Sequence, residues 1–161
     1  MPDKRIVYVD PDTENLCVVV PSYVAIEQGF YADEAELLAA CVERSVPDGV
    51  AHRVVEHTVI PSSRLFRNAW ADDGAAVDVD MAKARTMHMD SIRGERNKKL
   101  AEMDVTFMRA VEDGDTDAQA AAATEKQALR DLPETFDLSS YATPSDLNAA
   151  WPDGLPRPPE E

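Results

Sequence analysis

The chain has 161 residues, 31 of them acidic and 16 basic, for a formal net charge of -15, and 44% are hydrophobic. That length fits one ordinary domain or two very small ones, and a large share of alanine with only 6% aromatic residues argues against a large core with deep pockets. So acidic a chain is expected to bind neither nucleic acid nor anionic membrane, since phosphate recognition needs clustered Lys and Arg.

No apolar run approaches the ~20 residues of a membrane span and no signal-peptide pattern opens the chain, so a soluble protein made in the cytoplasm is expected. Cys17 and Cys41 are too few for a disulfide framework or a cysteine-based zinc site and read as small apolar residues.

Residues 4–10 (KRIVYVD) and 16–21 (LCVVVP) are β-branched runs flanking the turn-forming PDTEN, which predicts a β-hairpin. Residues 33–47 (DEAELLAACVERSVP) place apolar side chains at 37, 38, 41 and 42 behind an acidic first turn, the pattern of a short amphipathic helix. Residues 51–61 (AHRVVEHTVIP) predict a strand that stops at Pro61. The result is a small β-β-α-β unit over 1–62. Residues 63–79 are expected to be a joint and an acidic linker.

A helix is predicted from Asp80 to Glu112, where Pro is absent and Gly94 is the sole glycine. Its C-terminal half carries Leu100, Met103, Phe107, Ala110 and Val111 as one buried stripe. Its first half has a thinner stripe amid mixed charge and is expected to lean on another chain. EDGDTD (112–117) breaks the helix, with Gly114 as C-terminal cap and Asp115 or Thr116 as the next N-cap. The alanine-rich 117–131 then predicts a second helix, giving a helical hairpin over 80–132 or a coiled coil with another copy. In 133–161, TPSDLNAAWP predicts a short helix capped by Thr143 and Asp146, and PDGLPRPPEE, with four prolines in ten residues, an extended tail. The fold class is therefore α+β.

Charge follows the same divisions: 6 basic and 14 acidic residues in 1–78, 7 and 7 in 79–113, 3 and 10 in 114–161. The balanced middle stands apart from its acidic flanks.

No catalytic motif emerges. Asp113, Asp115 and Asp117 have the alternation of a calcium loop, but Ala118 and Thr124 occupy the positions that need Gly and Glu, and the capping reading is preferred. His52 and His57, five apart on a predicted strand, face opposite sides and cannot share a metal, and His88 falls in the polar half of the long helix. With no HExxH, GxSxG or phosphate-binding glycine loop, neither enzyme activity nor a cofactor is expected.

The unusual stretch is IPSSRLFRNAW (60–70), which gathers Arg64, Phe66, Arg67 and Trp70 in seven residues. Two readings stand. Leu65, Phe66, Ala69 and Trp70 are the apolar face of one helical turn docked on the β unit, or Trp and Arg are partner-facing anchors of the kind that dominate interface energies.

IVYVDPD, VVVPS, IPSSRLFRNAW, VDVDMAKARTMHMDSIRGERNKKLAEMDVTFMRAVEDGD, EKQALRDLP and TPSDLNAAWP, in that order, resemble a group of small proteins of tailed bacteriophages. These are structural or tail-fibre-assembly-like proteins encoded near tail-fibre genes. The resemblance implies no enzyme activity, no cofactor and no catalytic set. It implies a virion component in the tail, partnered by a tail fibre or baseplate protein and forming a homo-oligomer. Arg85, Arg93, Arg96, Lys98 and Lys99 would then meet acidic patches on copies or on the fibre, beside Arg64, Phe66, Arg67 and Trp70. An assembly chaperone absent from the finished particle, and an acidic nucleic-acid mimic, are the alternatives.

Overall fold

The computed structural model describes residues 3–158. It divides into two compact units, 1–80 and 81–161.

In the first unit, β1 (Lys4–Val9) pairs antiparallel with β2 (Leu16–Val19) and with β3 (His52–Glu56), giving the order β2-β1-β3. The hairpin between β1 and β2 is the one the sequence predicts. Its turn is held by Asp10, whose Oδ1 accepts from Asp12 N at 2.8 Å and Thr13 N at 3.0 Å. After β2 comes a four-residue helix, α1 (Val24–Glu27), which the sequence reading did not contain. The predicted helix is α2 (Glu34–Ser45), and Asp33 caps it by accepting from Glu36 N at 2.9 Å.

The period-two geometry of β1 sends its side chains to opposite faces. On one face Lys4 Nζ reaches Glu34 at 2.8 Å, Tyr23 donates to the same carboxylate at 3.0 Å, and Leu37 of α2 is buried. On the other face Val7, Leu16 and Val55 form the core cluster with Trp70 and Val77.

β3 is shorter than the strand expected over 51–61. Lys4 opposite Glu56 is the last pair with β1, and beyond it the backbone, with no strand left to join, tightens into a 3-10 turn at His57–Val59. His57 therefore lies in a turn, outside any strand.

Residues 63–79, expected as joint and linker, fold further than that. Phe66 sits in the left-handed region at φ 52°, a 3-10 turn follows at Arg67–Ala69, and β4 (Trp70–Asp72) pairs antiparallel with β5 (Val77–Val79). The acids of DDG tie the turn: Asp72 Oδ1 accepts from Gly74 N at 3.0 Å, Asp73 Oδ1 from Ala75 N and Ala76 N at 2.8 Å, and Gly74 takes φ 89°. Asp72 also pairs with Arg53 of β3, whose guanidinium holds the Asp72 carboxyl below the usual carboxylate range.

The second unit is helical. α3 (Met81–Glu112) turns at Gly114, φ 69°, into α4 (Thr116–Thr135). Asp115 caps α4 by accepting from Ala118 N at 2.9 Å. The hairpin buries Met103, Ala110 and Ala122. Lys126 crosses from α4 to Asp104 at 2.5 Å, its ammonium 5.2 Å from the Phe107 ring centre. Of the predicted stripe, Leu100 and Phe107 are half-buried, whereas Val111 is exposed.

α4 runs past the end expected for it. Pro133 lies in its last turn, where the missing N–H forfeits one bond while Phe136 N still reaches Leu132 O at 2.9 Å. α5 (Pro144–Ala149) is capped reciprocally: Thr143 accepts from Asp146 N at 3.1 Å and donates to the Asp146 carboxylate at 2.7 Å. The tail has no regular element, yet it does not stand free, because Pro152 and Leu155 are buried. Residues 159–161 of the expected tail lie outside the described residues.

Trp70 is 7% exposed and its indole Nε1 meets no acceptor among the described residues. Trp70→Ala should therefore cost roughly 3–5 kcal/mol in denaturant melts, as large core truncations do. Trp70→Phe keeps a ring and removes an unpaired donor, so it should cost clearly less.

Candidate interface of the helical unit

Arg85 was expected at an interface with another molecule, and the structure turns it inward. Its Nε donates to Leu138 O at 3.1 Å and its Nη2 to Tyr141 O at 2.8 Å. One turn along, buried His88 places Nε2 2.6 Å from Ala150 O. A carbonyl only accepts, so this nitrogen carries the proton. Trp151 meets the His88 ring edge-on, centroids 5.5 Å apart at 77°.

Trp151 donates from Nε1 to Leu155 O at 3.2 Å, and Arg157 lies over its ring at 5.8 Å while donating to Asn148 O. Ala84, Ile92 and Leu147 are fully buried beneath these contacts. The first half of α3 thus leans on residues 138–157 of its own chain. It therefore has a support within its own chain where another molecule was expected, and His88, assigned to the polar half of the helix, is buried.

The remaining cations of α3 stay at the surface, tied locally. Arg93 pairs with Asp90 at 2.8 Å, Lys98 with Glu95 at 2.7 Å, Lys99 with Glu102 at 3.7 Å, and Arg96 donates to Asn97 Oδ1 at 3.0 Å. Such surface pairs contribute about 0–1 kcal/mol each and leave Arg93 and Lys98 accessible to a partner. Arg64 and Arg67 are exposed and make no ion pair among the described residues. Phe66 is half-buried, and Trp70 belongs to the core of the first unit. Of the nine candidates, Trp70 and Arg85 are thus engaged within their own units.

No group of three or more His, Cys, Asp or Glu among the described residues is placed to hold a metal ion. Cys17 and Cys41 are free and half-buried. An open groove of about 510 Å³ in the first unit is lined mainly by Val19, Val20, Ala25, Phe30 and Leu37, with Arg44 at its rim and no paired acid and base. No described helix is long and apolar enough to cross a membrane.

The sequence reading missed the His88, Trp151 and Arg157 cluster. Its signal was there, in Ala84, His88 and Ile92 at four-residue spacing opposite the one-sided Leu147, Ala150 and Trp151.

Burial pushes the His88 imidazole below its ordinary 6.5, Arg157 adds to the shift, and the bond to Ala150 opposes it. The neutral ring is favoured in the fold, so this stability is complete above pH 6.5 and is lost as pH falls through the lowered value, because the unfolded chain takes up the proton first. Urea melts of wild type across this range should fall with acidification, and His88→Gln should show a smaller slope.

Neither the curated proteins nor the solved structures give a match to this chain. Residues 89–154 match the family described as phage tail assembly chaperone protein. The matched stretch holds most of α3, all of α4 and α5, and the Trp151 side of the cluster, so it is this part of the helical unit that is similar to phage tail assembly chaperones.

Proposed function

We propose that this chain is a non-enzymatic chaperone of phage tail assembly, working through protein–protein contacts of its helical unit and leaving before the tail is complete. The observation that carries this is the family match over 89–154, which coincides with a hairpin closed by its own C-terminal segment. A body that satisfies its own backbone groups can fold before its partner arrives. Its partner is a tail protein, of the fibre or baseplate, and the -15 net charge keeps the free protein dispersed and disfavours self-association until then. The exposed Arg93 and Lys98 are available to the partner's acids, as are the exposed Arg64 and Arg67 of the first unit.

Composition of assembly lysates and of purified particles tests this. The chain should be abundant in lysates and absent from finished tails, and its deletion should leave tails unassembled. Recovery from finished tails in fixed stoichiometry would instead make it a structural component of the virion.

A further inference from the structure

The distal half of α3 carries an apolar row that nothing in its own unit covers. Val105 is 50% exposed, Met108 55% and Val111 44%. At 100° per residue, Val105 and Met108 point away from Met103 and Ala110, the side chains that α3 buries in the hairpin. Glu112 continues the same row one turn beyond Met108, and it is exposed with no ion pair among the described residues.

Charge separates sharply along this unit. Residues 81–99 hold six cations against Asp90 and Glu95, whereas residues 100–117 hold six carboxylates against Arg109 alone. Of those six, Glu102 and Asp104 already face Lys99 and Lys126, while Glu112, Asp113 and Asp117 lie exposed at the hairpin end. Apolar side chains at three-residue spacing beside unneutralised acids form a surface complementary to a helix with an apolar stripe and basic flanks. A second copy of this chain is the poorer fit, because its own apolar row would bring the same acids into the contact.

We propose that the outer face of α3 around Val105, Met108 and Glu112 receives a cationic amphipathic helix of a partner protein. This rests on the assembly reading and names the chemistry of the partner. Apolar contact holds the helix, and the carboxylates at the hairpin end attract its cations.

A fluorescent synthetic amphipathic helix of leucine and lysine, titrated by anisotropy, tests the surface without any tail being built, so its outcome is separate from that of the particle analysis. The charge-preserving variant V105Q/M108Q should bind it at least ~10-fold more weakly, as loss of central apolar anchors does. E112Q/D113N should weaken binding and flatten its dependence on salt. Circular dichroism should show both variants as helical as wild type, since all four positions are exposed. Undiminished binding by V105Q/M108Q, equal binding of a leucine–glutamate helix, or a Met108-dependent dimer in sedimentation without peptide would each overturn the proposal.

Discussion

The helical unit depends on side chains of α3 that hold backbone carbonyls of the C-terminal segment. Arg85 takes Leu138 O and Tyr141 O, and His88 takes Ala150 O, in a region that also buries Ile92 and Leu147. Buried carbonyls without donors would be costly, so an irregular segment can cover an apolar stripe only where such donors reach it. Arginine suits the task because its planar fork satisfies two carbonyls at once. The C-terminal segment thereby serves the first half of α3 as α4 serves the second.

This division of labour leaves α3 with two kinds of free surface. The proximal half presents cations paired within the helix, and the distal half presents Val105 and Met108 beside carboxylates with no ion pair among the described residues. Segregation along one helix of 32 residues favours a cationic partner at the hairpin end over the proximal half, where like charges would meet. The protein's net acidity adds steering toward basic surfaces at a distance, which salt would weaken.

Local chemistry made several elements legible. Asp115 and Thr143 were readable as caps because a short polar side chain before an apolar-periodic run satisfies otherwise orphaned amides. What stayed hidden depended on distant partners. The hairpin of β4 and β5 was read as a linker because DDG and alternating Val77, Asp78 and Val79 give only three residues per strand, and the burial of Trp70 against Val7 and Leu16 lies far off in sequence. Arg85 was read as a surface cation because nothing local distinguishes it from Arg93. Its role comes from carbonyls more than fifty positions away. Helix α1 was invisible for a simpler reason, being a single turn between Pro21 and Gly29.

A self-closed helical body that keeps one apolar, acid-flanked strip open suits a protein that must be stable alone and still engage a partner in tail assembly. Closure of the C-terminal segment over α3 is the claim on which this rests, and amide hydrogen exchange of the isolated protein in dilute solution tests it most directly. The account predicts that amides of residues 84–92 exchange as slowly as those of residues 103–110. Rapid exchange across 84–92, with 103–110 still protected, would contradict it and show that the first half of α3 does require another chain.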